Sequence, residues 1–345
     1  VKSSLKISFL AALAALFFVM DIVAGSVRIA PTEVLRILLG GEGTDAAWRD
    51  IVLFFRLPRA LTAVAAGMGL SVGGLSMQTL FRNPLAGPSV LGINAGANLG
   101  VALVILLLGT GSGAGVVSLY SLWTKSMVIL AAVAGGGAVL VLILAISRYI
   151  ASVTMLLLFG LMFGYLANSV VTLLIHFATA GQVQAYIQWT FGSFGSTTWE
   201  DLAILLPVVV LLLVPALLLI KPLNALLLGE EYARSMGVSI RRVRVMIISL
   251  TSLYAGIITA FCGPVTFIGV AVPHMARGIM DTSDHRPVVP ATILLGISTA
   301  LLADLISHTP GSPGVLPLNA VTALLGVPVV IWVLVRRSRS GGVYE

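Results

Sequence analysis

Apolar residues in this chain gather into runs of the length a helix needs to cross a lipid bilayer, one after another from end to end. The hydrocarbon core is about 30 Å thick and a helix rises about 1.5 Å per residue, so roughly 20 apolar residues span it. Such runs fall at 7–25, 60–80, 90–109, 124–147, 153–177, 201–220, 244–262, 265–280, 288–306 and 319–335. The eighth is short and interrupted by glycine and proline. Composition excludes a water-soluble alternative. Of 345 residues, 58% are hydrophobic and 10% charged, against about 25% charged in a soluble domain, and the mean hydropathy is +1.08. The expected fold is all-α: a polytopic membrane protein of about ten transmembrane helices, forming a single domain over residues 1–345. The first run is read as a retained helix rather than a cleaved leader, because its apolar stretch is long enough to span.

Charge sets the orientation. With the N-terminus in the cytoplasm and ten crossings, 14 of the 20 Lys and Arg fall on the cytoplasmic side. The other six are Arg28, Arg36, Arg49, Arg56, Arg59 and Lys125. That bias follows the positive-inside rule and places both termini inside. It also accounts for the net charge of +7 without a nucleic-acid partner.

Three connections carry structure of their own. Pro31–Leu39 reads as a short interfacial helix opened by Pro31, with Thr32 able to cap it and Val34, Leu35 and Leu38 on one face. A second helix is read at Gln182–Phe191, with Tyr186 and Trp189 suited to the membrane boundary. The segment 227–244 is the largest polar insertion on the cytoplasmic side. Its residues Glu230–Met236 favour helix, Gly237 can end it, and acidic residues precede basic ones as the helix dipole prefers.

Several chemistries find no support. No G-x-x-x-x-G-K-[ST] loop occurs, so ATP is not bound that way. The four histidines, at 176, 274, 285 and 308, have no metal-ligand spacing, and no metal or other cofactor is expected on this chain. The glycine-rich run at 109–115 reads as a turn. Asp21 and Asp304 stand near outer ends of spans, and no carboxylate with a partner is legible at a bilayer centre. This speaks against the alternative of a proton- or sodium-coupled secondary transporter. Cys262, the single cysteine, reads as a packing residue.

Seven segments in order, covering about residues 50–335, resemble the FecCD-type permease family, which imports iron–siderophore complexes, haem and cobalamin in bacteria. They are Arg56-Leu57-Pro58-Arg59; Gln78 to Pro88 running into Leu91-Gly92-Ile93; and Trp189 through Gly192-Ser193-Phe194-Gly195 to Trp199. Leu228-Gly229-Glu230 with Ala233 and Gly237-Val238 follows, then Gly263-Pro264, Phe267-Ile268-Gly269 and Val272-Pro273-His274 with Asp284-His285-Arg286. Leu302-Ala303-Asp304, and Leu316-Pro317 with Val321 to Pro328, complete the set.

The resemblance implies a type II ABC importer permease that takes up a ferric chelate (an iron–siderophore or haem), with cobalamin as the alternative. It implies a homodimer in the bacterial inner membrane, two cytoplasmic ATPase subunits carrying ATP and Mg, and a periplasmic binding protein. Gly229, Glu230, Glu231, Ala233, Arg234, Met236, Gly237 and Val238 would form the coupling helix that docks on the ATPase. Arg56 and Arg59 would pair with acidic residues of the binding protein, and His308 stands where the family often has a further arginine. Asn83 and Leu85 would face Val153 and Thr154 at a cytoplasmic gate. Met155, Phe159, Met162, Phe163, Leu166, Asn168, Ser169, Gln184, Gln188 and Trp189 would line the pathway. His176, at the end of the fifth span, is read as structural. Pro264 and Pro273 are expected to interrupt one helix twice. Val315 and Asn319 depart from the family pattern, which commonly has an acid and a glycine there.

Overall fold

The computed structural model describes residues 2–25, 27–41, 45–107, 122–150, 152–308 and 314–339. The glycine-rich run at 109–115 lies outside them. All regular structure among the described residues is helical. The chain opens with α1 (Lys2–Val23), the short α2 (Pro31–Leu38) and α3 (Ala46–Asp50), which passes through a π-turn at Ile51–Arg56 into α4 (Leu57–Phe81). A 3-10 turn at Pro88–Leu91 leads to α5 (Ile93–Ala102), continued as a π-turn to Leu107, and then come α6 (Leu122–Ile146) and α7 (Val153–Phe177). The short α8 (Ala180–Thr190) precedes α9 (Trp199–Leu211) and α10 (Leu213–Leu218). After α11 (Ile220–Leu227) and α12 (Glu230–Ser235) the chain ends in α13 (Ile240–Cys262), α14 (Ile268–Met280), α15 (His285–Ser307) and α16 (Leu318–Arg339).

Every expected span has its helix. Seven described helices are long and apolar enough to cross a membrane, with α5 and α16 supplying shorter apolar stretches. The eighth span is the exception in form. Helix α14 has 13 residues, about 20 Å of rise, and the non-helical stretch 263–267 ahead of it can add up to about 16 Å. Two interruptions were expected there and one is found: Pro273 lies within α14, whose helix continues past it. The single break is stabilised from outside. Ser193 N–H donates to Cys262 O at 2.8 Å, and Ser196 Oγ donates to Phe261 O at 3.2 Å. Carbonyls freed by a break at membrane depth must be met by protein in this way. Asn319, which departs from the family pattern, joins the same region, accepting from Thr266 Oγ1 at 2.5 Å while its N–H donates to Phe191 O.

Small residues bring the spanning helices together. A Cβ on Gly67 would overlap the carbonyl of Gly296 on α15, and a Cβ on Gly296 would overlap that of Gly67. Gly74 meets Gly269 of α14 as closely. Lipid supplies no hydrophobic drive between helices, so backbone contact of this kind supplies the packing energy instead. Helix α4 consequently sits at the centre, against α1, α9, α13, α14 and α15.

The short helices match in position and differ in detail. Ala30 occupies the N-cap position of α2 with no side-chain cap bond, and the helix buries Val34 and Ile37 while Leu35 and Leu38 stay exposed. The inward face thus keeps Val34 of the expected stripe and takes Ile37 in place of Leu35 and Leu38. α8 begins with Gln182 Oε1 accepting the Thr179 backbone N–H at 2.8 Å.

Candidate functional site

The insertion at 227–244 folds into one capped turn of helix held against the bundle. Ala233 of α12 is fully buried, and Glu230 reaches Arg244 of α13 at 3.3 Å. The opposite face points away: Glu231, Tyr232, Arg234 and Met236 are exposed. Gly237 stops the helix with φ +84°, a conformation that an L side chain resists. Gly237 N–H then donates to Arg234 O, and Val238 N–H to Ala233 O, closing a Schellman cap. A short helix so closed at its end, with Glu230 tied back to α13, is a rigid knob, suited to receiving a push from a docked partner.

Beside it lies a cleft of about 840 Å³. Its walls bring residues Leu228–Tyr232 and Ser235 of the knob together with Leu80, Phe81 and Arg82 from the end of α4 and Thr154 from the start of α7. Thr154, read as a gate residue, is therefore a neighbour of the coupling segment; the side chain of Val153 lies outside the described residues. Asn83 and Leu85 form the adjoining turn, where Asn83 Oδ1 accepts Leu85 N–H at 2.9 Å. His274 Nε2 lies 2.7 Å from Pro84 O, tying that turn to α14. Leu85 itself is exposed.

Helix α7 presents the residues expected to line the pathway. Met155, Phe159, Met162 and Leu166 are large apolar side chains left open, with Asn168 and Ser169 exposed beside them. Phe163 is half-buried. Gln184 and Gln188 of α8 are exposed and Trp189 is half-buried. Among the described side chains of α7, full burial is confined to a stripe at Leu156, Gly160, Ala167 and Val171, with Phe163, Leu174 and Ile175 packed partly against the core. His176 is exposed, its ring edge-on to Phe177 at 5.0 Å.

The opposite end of the bundle is organised differently from the expectation. Arg56 and Arg59 are 3% and 7% exposed, so neither guanidinium is presented outward. Arg56 donates to Ile22 O at 3.0 Å, Val23 O at 2.7 Å and Val27 O at 2.5 Å. It thereby fills the open carbonyls at the C-terminus of α1, where the helix dipole favours a cation. Arg59 lies between two buried carboxylates, 2.8 Å from Asp304 Oδ2 and 3.5 Å from Asp21 Oδ1. His308 Nδ1 is 3.4 Å from Asp304 Oδ1. The acidic partners of Arg59 are thus groups of the chain itself, and Arg56 is met by backbone carbonyls. Hydropathy placed Asp21 and Asp304 near helix ends but could not show that α1 and α15 bring them onto one arginine.

A match to the family model of the FecCD transport family extends over residues 13–336. The chain belongs to the FecCD transport family. Relatives bear this out. A vitamin B12 import system permease protein BtuC of Salmonella paratyphi A is 33% identical over 343 residues, covering 98% of this chain and 96% of that protein. The BtuC of Klebsiella pneumoniae is 35% identical over 305 residues, covering 88% and 87%. Among solved structures, an inward-facing ABC transporter of metal-chelate type superimposes with a TM-score of 0.77 at 26% identity, covering 96% of this chain and 98% of that one. PsaBC of Streptococcus pneumoniae, at 16% identity and a TM-score of 0.52, shares the fold. This FecCD member is accordingly the permease of an ABC importer, a multi-pass inner-membrane protein of a kind that works as a dimer with ATPase and substrate-binding partners.

Proposed function

We propose that this permease carries a bulky ferric chelate, an iron–siderophore or haem, from the periplasm to the cytoplasm, paired with a second copy of itself. Hydrolysis of ATP with Mg would take place wholly on two partner subunits docked at α12, and the chain would have no catalytic role of its own. Both termini and α12 would face the cytoplasm, as the distribution of Lys and Arg favours. The observation that carries the reading is the rigid knob of α12 beside the cleft it shares with Arg82 and Thr154. A push there reaches the end of α4 and the start of α7 directly. The wall offered by Met155, Phe159, Met162 and Leu166 is apolar and adaptable, which suits a large ligand that must pass without lodging. A periplasmic binding protein would dock on the outer rim that Arg56, Arg59 and His308 hold together.

A second reading, cobalamin import by the same mechanism, is favoured by the vitamin B12 permeases at 33–35% identity. The two separate in one assay: ATP hydrolysis by the reconstituted assembly, stimulated by binding protein loaded with a ferric hydroxamate, haem or vitamin B12. Stimulation by an iron chelate alone supports the first reading and stimulation by vitamin B12 alone the second. Hydrolysis indifferent to all three contradicts both.

A further inference from the structure

Only Leu228 and Gly229 separate α11 from the knob of α12, so whatever holds α11 decides where a push on α12 goes. The helix buries Leu223, Ala225 and Leu226, and apolar contacts of that kind can slide. Asn224 between them cannot. Its Nδ2 donates to Asp284 Oδ1 at 2.6 Å. Its Oδ1 accepts the His285 backbone N–H at 2.8 Å and lies 2.7 Å from the ring Nδ1. A carboxylate only accepts, so the amide orientation is fixed, and with it the His285 tautomer: Nδ1 carries the proton. Nε2 is then an acceptor, 2.9 Å from Thr79 Oγ1 in the last turns of α4. The His285 side chain is buried, 1% exposed.

These bonds join three elements at named points. Asp284 also caps α15, accepting Arg286 N–H at 2.9 Å, and that bond holds its carboxyl below the ordinary range. One carboxylate therefore both starts α15 and grips α11. On the other side, Arg82 follows Thr79 by one turn, stands in the left-handed conformation, and donates from Nη2 to Leu226 O at 3.4 Å. The turn Asn83-Pro84-Leu85 comes immediately after it.

We propose that Asn224, locked to Asp284 and His285 and through His285 to Thr79, is the positioning residue that carries movement of the α12 segment into α4 and α15 together. The inference rests on the importer reading. Helices α4 and α15 are already in backbone contact at Gly67 and Gly296, so a displacement entering through Asn224 moves both as one body, along with the turn at Asn83. Among the described residues, helix α7 takes no part in this network of bonds, and relative motion between it and the α4–α15 pair is what opens or closes the side of the cleft where Thr154 lies.

The test uses the complete assembly of permease, ATPase and binding protein in proteoliposomes, with vitamin B12 and a ferric hydroxamate as probes. Asn224→Ala removes three bonds, and Thr79→Val removes the hydroxyl that contacts both His285 Nε2 and Leu75 O. Uptake per ATP hydrolysed should fall about tenfold in the first and about threefold in the second, while ATPase recruitment stays at the native level. A merely structural role would lower assembly and hydrolysis together and leave the ratio unchanged. Ratios within about twofold of native in both variants would overturn the proposal. Should Asn224→Ala fail to assemble, the ratio in Thr79→Val decides. A native chain that recruits no ATPase overturns the importer reading and this joint with it; a working native assembly with unaffected variants overturns the joint alone.

Discussion

Helices α4 and α7 are both 25 residues long and mostly apolar, yet they occupy opposite situations. In the single chain, 61% of the spanning window that includes α4 is buried against 17% for α7. The difference lies in side-chain size. Helix α4 carries Gly67 and Gly74 where the backbones of α15 and α14 fill the space a side chain would take, and Gly69 where the Tyr254 ring does. Helix α7 carries methionine, leucine and phenylalanine on the sides that no other described helix covers. The comparison teaches that hydropathy finds a span, while residue size says whether the span is packed by its own chain or left for lipid, a second copy or a passing ligand.

The sharpest way to break that contrast is to add a side chain to a glycine of each helix. Gly74→Val on α4 drives a side chain into the Gly269 carbonyl and should abolish the folded chain, a loss of at least about 3–5 kcal/mol, seen as no monodisperse protein in detergent. Gly164→Ala on α7 meets only Ala95 at 3.9 Å and should be neutral or raise the unfolding temperature, since alanine exceeds glycine by about 1 kcal/mol in helix propensity. Equal tolerance at both positions would remove the distinction.

Next in size is the arginine end. Arg59→Ala leaves Asp21 and Asp304 buried without their cation and should cost about 3–5 kcal/mol, measured by thermal unfolding. A triple change to Asp21→Asn, Arg59→Met and Asp304→Asn should recover part of that loss, because neither carboxylate is then left without a cation while Arg56 keeps its three backbone carbonyls. Recovery of stability with loss of binding-protein docking would show that the rim itself, beyond its role in folding, serves the partner.

Smaller still is the open face of α7. Met162→Ala should change stability by less than about 1 kcal/mol, because the side chain is 54% exposed. Uptake should fall more than stability does, which a lipid-facing methionine would not produce. Gly237→Ala is the mildest change to the fold, about 1 kcal/mol for forcing a side chain into φ +84°. It should still weaken ATPase recruitment measurably, because the cap that fixes the knob is lost.

Much of this was legible in the sequence, and the rest was hidden for identifiable reasons. Ten apolar runs located ten helices, because length and hydropathy are local properties. Glu230–Gly237 was readable because acid-first order and a terminal glycine are local too. The second break expected at Pro273 did not occur: the proline is the sixth residue of α14, where it removes one intrahelical bond, to Gly269 O, and the helix continues past it. Arg56 and Arg59 were read as outward-facing from their side of the membrane alone. Their burial depends on the last turn of α1 and on Asp304, partners 34 and 245 residues away for Arg56 and Arg59 respectively. Asn224 gave no signal at all, since a lone asparagine in an apolar run gains meaning only once Asp284 and Thr79 arrive beside it.

The central claim is that this chain opens a path for a metal chelate when an ATPase pushes on α12. The most direct measurement is uptake of a labelled chelate, ferric hydroxamate, haem or vitamin B12, into proteoliposomes holding the complete assembly, with and without ATP. The account predicts uptake that requires ATP, the ATPase and the loaded binding protein, and that disappears in Gly237→Pro while the permease remains folded. Uptake by the permease alone down a proton or sodium gradient would contradict it.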